Sequence, residues 1–148
     1  MLKKQLFEHC NSQLMEKRQT ILGAIDTVEE SMRQEGKSTA GDKHNTARAN
    51  MQLERERLGS SLQLVEQLFH RLERIDTEAT GPPIRIGSLV ETTAGRFYLA
   101  IPCDAMPYNG KSIYCMGPES PLAKELLGKS PGDAYQINGR SFSVLKVE

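Results

Sequence analysis

The sequence predicts an α+β chain: a long antiparallel coiled-coil hairpin of two helices, then a small antiparallel sheet with one short helix. Three observations predict it. Residues 1–78 hold no proline and only four glycines (Gly23, Gly36, Gly41 and Gly59), whereas all seven prolines fall at or after Pro82. Apolar residues of the first part recur every seven positions, and those of the second part collect in short β-rich runs. The stretch ATGPPIR (79–85) lies between them, and clustered Gly and Pro punctuate structure. The chain therefore divides into a hairpin at 1–78, a linker at 79–83 and a second domain at 84–148.

In the first helix Phe7, Leu14, Ile21 and Val28 form a seven-residue series. Cys10 and Ala24 take the companion position three residues on, where Lys17 and Ser31 interrupt. In the second helix Met51, Leu58, Val65 and Leu72 repeat the series, with Leu68 and Ile75 as companions; Leu62 and Phe69 widen the seam. Such heptads mark a coiled-coil seam. Two helices of similar length joined by a short polar connection fold back on each other. A helix over 2–35 would be roughly 50 Å long at its rise per residue, far more than a core needs. The connection, KSTAGDKHNTARANMQ (37–52), is small and polar and places the tip near 36–46.

The second part reads as strands at IRIGSLVET (84–92), RFYLAIP (96–102), KSIYCM (111–116), DAYQI (133–137) and RSFSVLKV (140–147). In SPLAKELLGKSPGD (120–133) Ser120 is the helix N-cap, Pro121 its first residue and Gly128 its stop. Asn138-Gly139 is a hairpin turn between the last two strands. Ile84, Ile86, Leu89, Val90, Leu99, Ile101, Leu126, Leu127, Val144, Leu145 and Val147 supply one modest core.

Composition narrows the function. Nineteen basic residues balance nineteen acidic ones, so no net field draws the 148-residue chain to nucleic acid or membrane, and a phosphate-gripping protein would be basic. Cys10, Cys103 and Cys115 are odd in number and lack CxxC spacing, which argues for free thiols in a reducing compartment over a disulfide framework or zinc site. Without a long apolar run near the start or elsewhere, the expectation is a cytoplasmic chain with no membrane partner; a monomer is expected. His44 has no metal-binding neighbour at the next helical turn, and His9 and His70 read as structural or solvent-facing. The charge run ERER (54–57) reads as a wet helix face.

SPLAKELLGKSPGDAYQI resembles the C-terminal signature of the bacterial Gre-type transcript cleavage factors, GreA and GreB. IRIGSLVET is similar to the strand that opens that domain, and AGDKHNTARANMQLERERL to the family's tip, a Gly-Asp-x-x-Glu-Asn-Ala run. The resemblance implies a C-terminal domain of FK506-binding-protein-like fold and a transcription elongation factor that binds RNA polymerase. Its coiled coil would enter the polymerase's secondary channel. Two tip carboxylates would help hold the polymerase's catalytic Mg2+ and a water, so that the polymerase hydrolyses the nascent RNA 3′ end. The factor would be no enzyme itself and would carry no cofactor or metal of its own.

Asp42 matches the first acid of that motif, but Asn45 stands where the resemblance implies a glutamate. Magnesium prefers carboxylate and water ligands, and an amide brings neither negative charge nor a general base. On the resemblance, cleavage would then be feeble, or the chain would regulate polymerase without cleaving. Glu35 is the other carboxylate near the tip. Lys37, Lys43 and Arg48 would meet RNA or polymerase, and Ser120 and Pro121 would lie near the docking rim. From the residues alone, Asp42 reads first as a helix cap and each of the three cations as part of a solvated helix end; it is the resemblance that turns Asp42 toward a tip carboxylate. Two other classes stay open: a coiled-coil adaptor, and a prolyl isomerase, which would need an aromatic-walled pocket that a half holding only Phe97, Tyr98, Tyr108, Tyr114, Tyr135 and Phe142 supplies poorly.

Overall fold

A computed structural model describes residues 2–36 and 42–148. In chain order come α1 (Leu2–Glu35), α2 (Asp42–Glu73), β1 (Leu89–Thr92), β2 (Gly95–Leu99), β3 (Cys103–Tyr108), β4 (Lys111–Met116), α3 (Pro121–Leu126), β5 (Ala134–Ile137) and β6 (Arg140–Val147). Contacts group the chain into two compact units, Leu14–Phe69 and Met1–Gln13 with His70–Glu148, so the division falls within the two long helices. No described helix is long and apolar enough to cross a membrane.

The unit Leu14–Phe69 is an antiparallel helix pair. Arg18 meets Glu66 at 3.1 Å and Arg55 meets Glu29 at 2.9 Å. Both pairs sum to 84 (18 + 66 and 29 + 55), so the register is mirrored about position 42. Leu14, Ile21, Ile25, Leu58 and Val65 are buried between the helices. Lys17 is exposed and Val28 and Met51 are half-buried. On α1 the companion slot passes from Ala24, which is half-buried, to Ile25. A straight helix drifts about 20° per heptad from a seven-residue repeat, so the buried stripe changes residue along its length. Outside the seam, the Arg18 guanidinium sits 4.2 Å from the Phe69 ring centroid, a cation–π contact that covers the half-buried ring.

In the other unit Leu6, Cys10 and Leu72 are buried, and Phe7 is only half-buried, so Leu6 takes the place that the seven-residue series gave to Phe7. The sheet has six strands in the order β3-β4-β2-β1-β6-β5. Its core joins Ile84, Val90, Phe97, Leu99, Ala123, Leu126, Tyr135, Val144 and Val147, with α3 packed on one face. Polar side chains inside are paired: the Tyr135 hydroxyl donates to Thr92 Oγ1 at 2.8 Å, and Thr92 donates to the Gly95 carbonyl at 3.1 Å.

Four expectations about this unit change. First, the sheet is mixed and not wholly antiparallel: β2 and β4 are parallel, with Phe97 opposite Tyr114. The cause is β3, a strand the sequence reading left out, which reverses the chain so that β4 returns alongside β2 in the same direction. β3 carries Asp104 and Pro107, poor strand formers that an edge strand tolerates. Second, β1 starts at Leu89 and not Ile84. Gly87 takes φ +101, and a Cβ there would come within 2.9 Å of Ile75. The backbone bond from Ser88 to Arg85 closes residues 85–88 into a turn. Third, Leu145 is 53% exposed and outside the core. Opposite β1, Glu91 pairs with Lys146 and Thr92 with Val144, so Leu145 is the extra residue of a bulge and is turned to solvent. Fourth, Ser120 holds the N-cap position of α3 but its side chain makes no cap bond; its carbonyl accepts the Lys124 amide at 3.0 Å.

The expected stop at Gly128 does form. Its φ is +86, a conformation glycine adopts without strain, and its amide donates to the Ile84 carbonyl at 2.8 Å. Asn138-Gly139 is the expected turn, with φ of 52° and 79°, and Asn109-Gly110 forms a second of the same kind between β3 and β4.

Candidate functional site

The site residues singled out by sequence fall at two places, and the structure adds a third. At the hairpin end, Lys37 lies outside the described residues. Asp42 and Lys43 are the first two residues of α2. Asn45 is one turn further along the same face as Asp42 and is exposed. Arg48 is exposed too, and its guanidinium overlies Gly36, since a Cβ built on that glycine would stand 3.2 Å from Arg48 Nη1. The pairing of 36 with 48 again sums to 84, which extends the mirrored register to the end of α1. A cation beside the C-terminus of α1 offsets its negative dipole end. The geometry therefore brings Arg48 to the α1 terminus and puts Asn45 on the face that begins with Asp42. Nearby charge is partly spoken for: Arg33 bonds to Glu30, which holds the Glu30 carboxyl below its ordinary range, and Arg55 bonds to Glu29.

At α3, Pro121 is exposed and Ser120 half-buried. Just before them Glu119 pairs with Arg71 of α2, and that hydrogen bond lowers the Glu119 carboxyl from its usual value. The start of α3 thus presents Pro121 beside an ion pair.

The third place was not expected. Cys10 and Cys103 lie with their sulfurs 3.0 Å apart as free thiols. Cys103 and Cys115 face each other as partners across β3 and β4. A ring nitrogen of His9 and the sulfurs of Cys103 and Cys115 all lie within 4.8 Å of one another. Hydrogen bonds from Cys10 and then Cys115 favour the Cys103 thiolate and draw its pKa down, while the Cys10 thiol is pushed up as their donor. Gln13 fastens this end of α1 to β3: its Oε1 accepts the Asp104 amide at 2.9 Å and its Nε2 donates to the Asp104 carboxylate at 3.3 Å. The three cysteines carry no spacing signal because they come from different elements. One signal was present: the Asn109-Gly110 turn sets residues 103–108 against 111–116, and the irregularity between Cys103 and Met106 brings Cys103 opposite Cys115.

These features define a chain of two kinds of structure, a long helical hairpin with a polar end and a mixed α+β sheet unit. No family model matches the chain, and no curated protein matches it. Among solved structures, the transcription factor Gfh1 is similar over 96% of this chain and 92% of its own, with 21% identity and a TM-score of 0.35.

Proposed function

We propose that this chain is a Gre-like transcription elongation factor. It binds RNA polymerase, inserts its helical hairpin into the secondary channel and modulates backtracking and cleavage of the RNA 3′ end. The observation that carries this reading is the place of Asp42: the first residue of α2, at the mirror point of a long antiparallel pair. The SPLAKELLGK motif around α3 and the order of hairpin before sheet support it, through the sequence resemblance.

In this reading Asp42 supplies a carboxylate toward the polymerase's Mg2+. Two-metal hydrolysis needs the second ion held beside the attacking water. Asn45, on the same face, orients water through its amide and adds no charge. Lys37, Lys43 and Arg48 meet RNA phosphates or polymerase carboxylates, and Ser120 and Pro121 dock at the polymerase surface. The hydrolytic site belongs to the polymerase, so the chain has no turnover alone.

The exposed Asn45 favours a second version, a regulator that occupies the channel without cleaving. Backtracked elongation complexes mixed with the protein decide between them. Shortened RNA that disappears with Asp42→Ala supports the cleaving factor. Polymerase binding with unchanged RNA, and cleavage gained by Asn45→Glu, supports the regulator. Failure to bind core polymerase at all overturns both.

A further inference from the structure

Four side chains with soft donor atoms meet where the first turns of α1 lie against β3 and β4, well away in sequence from the hairpin end. They come from three stretches that share no motif, and the fold alone gathers them. His9, Cys103 and Cys115 are half-buried, so an ion can reach them and still be shielded; Cys10 is fully buried behind Cys103. The donor atoms of His9, Cys103 and Cys115 lie within 4.8 Å of one another. Around a tetrahedral zinc with bonds of about 2.3 Å to sulfur, two sulfurs stand about 3.8 Å apart, inside that span.

The surroundings match a ligand set better than a packing accident. His9 Nε2 lies 2.8 Å from the Asp104 carbonyl, which fixes the ring and, in the tautomer that donates there, leaves Nδ1 its lone pair. Metal-bound histidines commonly give their other ring N–H to such a carbonyl. Gln13 holds Asp104 by both its amide and its carboxylate, so the carbonyl that orients His9 is itself held in place. Sulfur and imidazole without a carboxylate select zinc-like ions over magnesium or calcium.

We propose that His9, Cys103 and Cys115 form a binding site for one zinc ion per chain, with the Cys10 thiol alongside. The site joins the first turns of α1 to the β3–β4 hairpin, and it is independent of the reading of the hairpin end.

The test uses the reduced full-length chain, titrated with Co2+ and then Zn2+. One Co2+ binds per chain with thiolate-to-metal charge-transfer absorption in the near ultraviolet, and Zn2+ displaces it. The Cys103→Ser, Cys115→Ser double variant loses that absorption. His9→Ala, a half-buried helix position that leaves both thiols in place, lowers zinc affinity by at least about 10–100-fold, the loss that removing even an outer-shell partner brings. Zinc raises the Tm of the wild-type chain and not that of the double variant, as binding to the folded state alone requires. A folded, reduced wild-type chain without the absorption overturns the site. So does equal zinc affinity in wild type and His9→Ala, and so does one metal shared by two chains.

Discussion

The helix pair and the sheet unit are built on different scales of burial. Between Leu14 and Phe69 the interior is a single file of apolar residues, flanked by ion pairs such as Arg18 with Glu66. In the sheet unit Leu99, Leu126, Val90 and Val144 belong to one contiguous core closed by α3. A single file has solvent on both sides of every contact, so each residue can be lost with partial collapse. A contiguous core cannot collapse so readily, because its residues are hemmed by a sheet and a helix. The contrast is one of packing: the helix pair buries a narrow seam and the sheet unit a contiguous core.

The sharpest way to break that contrast is a cavity in the sheet core. Leu126→Ala, at a position with no exposure, is expected to cost about 3–5 kcal/mol in denaturant unfolding. Leu58→Ala in the helix pair should fall near the low end of the same class, about 2 kcal/mol. If the two variants prove equal, the single-file account of the hairpin is wrong. A smaller effect tests the buried polar group: Tyr135→Phe removes one hydrogen bond but leaves Thr92 its bond to Gly95, so about 0.5–1.5 kcal/mol should be lost.

The exposed Arg71–Glu119 pair comes next. Glu119 is depressed in the folded state below its ordinary 4.5, so its contribution is present above that value and disappears as pH falls through the folded one. At neutral pH Glu119→Gln should cost no more than about 1 kcal/mol, and the difference from wild type should vanish in acid. Unfolding curves at neutral and acidic pH measure it. The smallest effect belongs to the hairpin end. Asn45→Glu, in the first turns of α2, should shift stability by less than about 1 kcal/mol, and in the stabilising direction because of the helix dipole. A large loss would mean that this end takes part in folding.

How far the sequence reached follows from the same contrast. The long helices were readable because a seven-residue repeat persists over many turns, and Leu58, Val65 and Leu72 are buried as that repeat predicts. The drift of the stripe from Phe7 to Leu6 and from Ala24 to Ile25 was not, because it accumulates from the mismatch of helical and heptad periods. Strand β3 was hidden by Asp104 and Pro107, although its Asn109-Gly110 turn was in plain view. Without β3 neither the parallel pairing of β2 with β4 nor the meeting of Cys103 with Cys115 could be derived. Leu145 looked like core because alternation is read strand by strand, whereas a bulge depends on the partner strand. At the candidate site, Asp42 and Asn45 were legible as residue types in a polar segment, while the approach of Arg48 to Gly36 needed the register of the helix pair.

That register has a consequence for length. Because cross-helix partners add to a constant, seven residues deleted from α1 and seven from α2 at matched positions would restore every remaining partnership. Each such double deletion would shorten the pair by about 10.5 Å. The hairpin is in that sense a ruler graduated in heptads, whose reach can be reset by evolution or by design while the residues at its end keep their setting.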